Sequence, residues 1–215
     1  MIDRERIAIL GGSFDPITLA HVTVLDQAAS ALGAVQSWVL PTRRQPLREP
    51  AHADVAARLA MAHAAVEGVA RMHVVEDEAH RSGPSYTVDT LDALETAHPD
   101  VDLWWVMGAE TARTILGWQR APELLSRGRF AIVNRHGVPS LSGPDARALG
   151  FHPDRTRLLT VDSPPISSTD VRRRVADGLP VDAMVGAAVA RLIDEGRLYR
   201  DGPIDPVKPA SMQLP

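Results

Sequence analysis

The chain has 215 residues, 45% hydrophobic and 23% charged, ordinary globular proportions that exclude general disorder and allow a core that needs no staples. Cysteine is absent, which excludes a disulfide framework, a thiol nucleophile and thiolate-held zinc or iron–sulfur sites. The net charge of −4 offers no global field to nucleic acid or anionic lipid, and no segment approaches the ~20 apolar residues of a membrane span. The apolar run Ile7–Leu10 is too short for the core of an export signal, so a soluble, cytoplasmic protein binding neither membrane nor nucleic acid is expected.

In chain order, Ile7 to Leu10 reads as a strand buried on both faces of a parallel sheet. Gly11-Gly12-Ser13-Phe14-Asp15-Pro16 breaks it, and from Thr18 a helical pattern puts Val22, Leu25, Ala29 and Leu32 on one face, closed by Gly33. A strand follows at Ser37–Leu40, then a loop from Thr42 to about Ala53, then a helix capped by Asp54 and running to Val66. Met72–Val75 reads as a strand, Glu76–Pro84 as a polar loop and Thr87–His98 as an amphipathic helix. A buried strand at Leu103–Met107 ends at Gly108, with helices from Ala109 and near Pro122–Ser126. Strands at Phe130–Val133 and Leu158–Val161 precede helices near Ser168–Asp177 and Asp182–Glu195. Strands alternating with helices predict an α/β fold: a Rossmann-like doubly wound parallel sheet with a C-terminal helical portion. Residues 1–202 are expected to form one domain, and the proline-punctuated stretch 203–215 a disordered tail.

In such a sheet, ligands bind beyond the carboxyl ends of the strands, and the turn after the first strand is the usual place. Gly11 and Gly12 allow close backbone approach there, and the helix after Thr18 offers free N–H groups to a phosphate. The spacing matches neither G-x-G-x-x-G nor G-x-x-x-x-G-K-[ST], which disfavours a dehydrogenase and a P-loop NTPase. His21 lies one turn beyond Thr18 on the same face. The pair reads equally as phosphate ligands or as a tight turn with a half-buried helix residue. Near the C-terminus, Ile166-Ser167-Ser168-Thr169-Asp170-Val171-Arg172 follows two prolines; it reads as a capped helix start, and a polyphosphate clamp is the sharper alternative. Lys208 is the only lysine, so phosphate chemistry in the folded part falls to Arg forks, backbone amides or His.

Together these elements resemble a known family. Gly11 to His21 looks like the nucleotidyltransferase signature G-G-[ST]-F-D-P-x-[HT]-x-G-H, and Ile166–Arg172 like its partner I-S-S-T-x-[IV]-R. Gly83 to Leu91, Trp105–Gly108 followed by Trp118, and Gly196–Tyr199 are similar to segments of the nicotinate-nucleotide adenylyltransferases. That resemblance implies transfer of the adenylyl group of ATP to nicotinate mononucleotide, giving deamido-NAD and pyrophosphate, with Mg²⁺ carried on the triphosphate. It implies that His21, Thr18 and Arg172 serve the reaction, and that Gly11, Gly12, Ser13, Phe14, Gly108, Glu110, Ile166, Ser167 and Ser168 line ATP. Thr42, Arg48, Thr87, Trp118 and Arg135 match acceptor positions, and no protein metal cage is implied.

Three positions depart from the family pattern. Thr18 stands for the first His usual in the nicotinate-nucleotide members, Ala20 for the Gly before His21, and Glu110 for an Asp. In the loop at Thr42–Arg48 the family's His-Lys/Arg pair is not intact, since Leu47 precedes Arg48. Two other readings therefore stay open: the same reaction on nicotinamide mononucleotide or phosphopantetheine, and a nucleotide-binding paralogue with weak catalysis. Homo-oligomerisation stays open too.

Overall fold

The computed structural model describes residues 4–46, 49–135 and 139–200; Arg48 and the tail expected at 203–215 lie outside the described residues. β1 (Glu5–Gly12), β2 (Gln36–Pro41), β3 (Met72–Val74), β4 (Val101–Gly108), β5 (Arg129–Arg135) and β6 (Thr156–Val161) form one six-stranded sheet in the order β3-β2-β1-β4-β5-β6. Every neighbouring pair is parallel. The chain order reverses between β1 and β4, which opens a crevice where Gly12 and Gly108 end their strands.

Strand alternation sorts the apolar residues into two clusters, one per face. On one face Ala8, Val39, Trp104, Val106, Ala131 and Val133 lie under α1 (Leu19–Leu32), α2 (Val55–Val66), α8 (Ser168–Ala176), α9 (Asp182–Val185) and α10 (Ala187–Glu195). On the other, Ile7, Ile9, Trp38, Leu40, Trp105, Met107 and Ile132 meet α4 (Thr87–Ala97), α5 (Ala109–Ala112), α6 (Ala121–Arg127) and α7 (Gly143–Ala148). Small side chains let α1 approach the sheet closely: Ala28 on the helix and Ala8 and Ala131 on the strands are all fully buried. Among the described residues, no helix is long and apolar enough to cross a membrane.

The local signals read from sequence operate as physical caps. Gly33 takes φ 63° and its N–H bonds the carbonyls of Ala29 and Ser30, ending α1 in a left-handed turn. The Asp54 carboxylate accepts the Ala57 N–H at 2.7 Å and starts α2.

Two expectations need correction. The segment 76–84 is not all loop, because Asp77–His80 form a short helix, α3, in which Glu78 and Ala79 are buried. Its polar composition hid the turn, since Glu78 is buried by accepting the Thr90 hydroxyl at 2.6 Å rather than by apolar contact. The last helix expected, Asp182–Glu195, is broken at Gly186, whose φ of 85° and ψ of 154° no helix can contain. The short helix α7, between β5 and β6, was not foreseen.

Candidate active site

The phosphate-type turn at the end of β1 is built from tight contacts. Gly12 pairs with Pro41 in register, and its carbonyl accepts the Thr42 N–H at 2.9 Å. Any Cβ on Gly12 would meet the Phe14 ring at 3.2 Å, so this position is held open by packing. Phe14 itself is 3% exposed and takes a left-handed φ of 47°, with its ring edge-on to His21 at 5.3 Å between centroids. The Phe14 side chain is therefore a wedge under His21, and only its backbone can line a ligand.

At the start of α1, the Thr18 N–H donates to Nδ1 of His21 at 3.0 Å. An N–H can only donate, so Nδ1 is the unprotonated nitrogen and the ring proton sits on Nε2. The Thr18 hydroxyl lies 2.9 Å from the same Nδ1, and Thr18 is 1% exposed. Its hydroxyl thus sits against the histidine and helps to fix it. Burial first, and the charge of Arg135 second, pull the His21 pKa down to about 4. Protonating Nδ1 would also break the Thr18 bond, so His21 is a neutral Nε2–H donor. Ala20 is 3% exposed, which places its extra methyl in the protein interior.

From the other end of the chain, α8 grips this turn. The Ser167 hydroxyl accepts the Asp170 N–H at 3.1 Å and caps the helix. Ser168 donates its hydroxyl to the Pro16 carbonyl at 2.8 Å, and Arg172 donates to the Asp15 carbonyl at 2.7 Å and to Thr169 at 3.1 Å. Ser168 and Arg172 thus stitch the C-terminal helix to the turn across more than 150 positions.

Three residues to which the sequence gave no individual role hold the frame. Arg58 is 2% exposed and donates to the carbonyls of Ser13, Thr42, Arg43 and Ala53. The signal was there, because Arg58, Met61, Ala62 and Val66 fall on the buried stripe of α2. Asp15 is the second: its carboxylate accepts the N–H groups of His52 and Ala53 at 2.7 and 3.0 Å and the Tyr199 hydroxyl at 3.0 Å. Burial alone would raise its pKa, but these bonds and the His52 ring hold it below the ordinary carboxylate value. Tyr199 is the third.

The remaining expected residues lie on other elements. Gly108, at the end of β4, has open space where a Cβ would stand, and Glu110 is exposed in the first turn of α5. Arg135 is half-buried at the end of β5, near enough for its charge to act on His21. Thr42 is 7% exposed, and its hydroxyl has no hydrogen-bond partner among the described residues. Thr87 begins α4, and the preceding segment is tied to the 42–46 loop by the Ser85 N–H bond to the Arg44 carbonyl at 2.9 Å. Trp118 is half-buried against the second core cluster, with its indole N–H on the Thr114 hydroxyl at 3.0 Å. Hydrogen bonds bring together the first turn, α1, α2 and α8; Gly108, Glu110, Thr87 and Trp118 stand on neighbouring elements without a direct bond to that turn. Among the described residues, no group of three or more His, Asp or Glu side chains is placed to hold a metal ion.

Comparison with known proteins yields matches over most of the chain. A family model described as cytidylyltransferase-like matches residues 9–174. The chain is 35% identical over 197 residues to "Probable nicotinate-nucleotide adenylyltransferase" of Herpetosiphon aurantiacus, covering 91% of this chain and 98% of that one. It is 34% identical over 197 residues to the protein of that name from Clavibacter michiganensis subsp. michiganensis, covering 92% and 95%. Among solved structures it is similar to Plasmodium falciparum nicotinic acid mononucleotide adenylyltransferase complexed with NaAD, with a TM-score of 0.76 at 22% identity over 91% of this chain and 97% of that one. At that identity the structural likeness speaks for the fold.

Proposed function

The chain belongs to the cytidylyltransferase-like family, and from that premise we propose that it is a nicotinate-nucleotide adenylyltransferase acting in NAD biosynthesis. The 5′-phosphate oxygen of nicotinate mononucleotide attacks the α-phosphorus of ATP in line. The bond from that phosphorus to the β-bridging oxygen breaks, and pyrophosphate leaves with the electron pair, giving deamido-NAD. No enzyme nucleophile is needed, so catalysis consists of positioning and charge stabilisation.

The observation that carries this reading is His21, locked by Thr18 with its Nε2–H left to donate at the end of β1. In the proposal that N–H donates to a non-bridging α-phosphate oxygen, where negative charge builds in the transition state. Its neutrality matters: the donor needs no protonation event to be ready. The Gly11–Phe14 backbone lines the phosphates, with Ser167, Ser168 and Arg172 at the triphosphate, alongside Ile166. Gly108 and Glu110 flank the adenosine. Thr42, Thr87, Trp118 and Arg135 serve the acceptor, the Trp118 ring by stacking on the pyridine. Mg²⁺, brought as MgATP, would supply neutralisation of the charge on the leaving pyrophosphate, and no side chain of this chain is assigned to hold it. The cytoplasm, where ATP is supplied, is the compartment that goes with this reading.

Thr18, Ala20 and Glu110, standing where the family has His, Gly and Asp, favour a second reading, a weak, nucleotide-binding paralogue. The test is pyrophosphate release from MgATP with nicotinate mononucleotide, nicotinamide mononucleotide or phosphopantetheine as acceptor. Fast release with the first is expected; release only with another acceptor, or none despite ATP binding, overturns the proposal.

A further inference from the structure

The segment Gly196–Tyr199, just beyond α10, takes no part in the chemistry above, yet it reaches the centre of the site. Arg197 and Tyr199 adopt left-handed φ values of 49° and 63°, a region unfavourable for residues with a Cβ. The Leu198 N–H bonds the Ile193 carbonyl at 3.0 Å, turning the chain back on itself. That turn delivers the Tyr199 hydroxyl to Oδ1 of Asp15 at 3.0 Å, across 184 positions of sequence.

Asp15 is the junction of four segments. Its Oδ1 receives Ala53 N–H and Tyr199 O–H; its Oδ2 receives His52 N–H and lies 3.0 Å from the His52 ring. Arg172 stands 3.9 Å from Oδ2 and donates to the backbone carbonyl of the same residue. Moving Asp15 therefore moves the carbonyl that aims the guanidinium, and with it the Ser13–Pro16 turn. The Tyr199 ring packs beside the first core cluster, so ring and hydroxyl have separable jobs.

We propose that Tyr199 is a positioning residue for the ATP side of the site: its hydroxyl fixes the Asp15 carboxylate, and Asp15 fixes Arg172 and the phosphate turn. The inference rests on the adenylyltransferase reading only in taking ATP as the ligand. Its chemistry is that of an ionised carboxylate whose orientation is over-determined by donors from several elements; removing one donor lets it rotate toward those left.

The test is Tyr199→Phe in the full chain, which keeps the ring and deletes the hydroxyl. MgATP binding is measured by calorimetry without acceptor, and KM for each substrate by pyrophosphate release. The expected result is a Kd and KM for MgATP raised about tenfold, the order for losing one hydrogen bond to a charged group, with the KM for nicotinate mononucleotide within about twofold of wild type. Binding stoichiometry reports any unfolded fraction separately from affinity. Unchanged MgATP affinity, or an equal rise in both KM values as a merely structural role would give, overturns the proposal. In the double variant with Arg172→Lys, a loss smaller than the product of the single losses is expected; multiplicative losses overturn the route through Arg172. If the wild type binds MgATP but adenylates no acceptor, the function reading fails, while the Kd comparison still decides the role of Tyr199.

Discussion

His21 concentrates the residue-scale argument, because its two ring nitrogens have different fates. Nδ1 is consumed by Thr18, and Nε2 carries the ring proton, which the proposed mechanism offers to the α-phosphate. Replacing His21 with Ala should cut kcat about 10²–10³-fold, as for deleting one preorganised donor, and cost about 1–3 kcal/mol of stability by leaving the buried Thr18 N–H without its acceptor; turnover by pyrophosphate release checks the first, and wild-type rates would remove His21 from the mechanism. The pH dependence follows with a definite sign. Folding lowers the His21 pKa from 6.5 to about 4, so between those values the unfolded chain binds a proton that the folded chain does not. Stability should fall as pH drops through that window, and His21→Gln should flatten that part of the Tm-versus-pH curve relative to wild type. Equal slopes for the two proteins would show that the histidine is not held neutral. Arg58 is the structural counterpart. Losing its donors leaves four carbonyls short of a partner, those of Thr42 and Ala53 in buried bonds, so Arg58→Met should destabilise by about 2–4 kcal/mol in urea unfolding. Arg58→Lys should recover only part of this, since an ammonium cannot span the same fork of acceptors.

At the scale of elements, the strands were legible in the sequence because both faces of each central strand are buried and the apolar runs are continuous. Ile7–Leu10 and Leu103–Met107 show this most clearly. Caps at Gly33 and Asp54 were legible for the same reason: each acts within one turn of the residue that carries it. What escaped was decided by partners distant in sequence. Glu78 is buried only because Thr90 donates to it, and no local pattern announces that bond. The break between α9 and α10 was missed because a glycine inside an apolar periodic run reads as tolerated helix. Its φ of 85° with ψ of 154° lies in a region open to glycine alone. Gly186→Ala should therefore destabilise by about 1–3 kcal/mol, whereas an ordinary glycine-to-alanine exchange in a helix stabilises. A Tm equal to or above wild type would mean that α9 and α10 can fuse into one helix.

On the scale of the whole molecule, the crevice at the order reversal divides the site between the two faces of the sheet. The turn after β1, α1 and α8 belong to the face packed by the first cluster, and α4 and the Trp118 turn pack on the second. Motif spacing could place residues in one half or the other, as it did for His21 and Arg172, but it could not give the bonds that join α8 to the turn. Those bonds link residues 152 and 157 positions apart, and their partners are backbone carbonyls, which leave no mark in side-chain identity. The division has a functional consequence. Substitutions at the turn after β1 and in α8 should act on ATP, and substitutions at α4 and the Trp118 turn on the acceptor. Trp118 tests it, because it is half-buried, anchored at one edge by Thr114, and a partner in none of the bonds described above for the phosphate turn. Trp118→Ala should raise the KM for nicotinate mononucleotide about tenfold, the order for losing one aromatic stacking partner, and leave the Kd of MgATP within about twofold. Equal weakening of both ligands would mean that Trp118 supports the sheet as core and is not an acceptor contact.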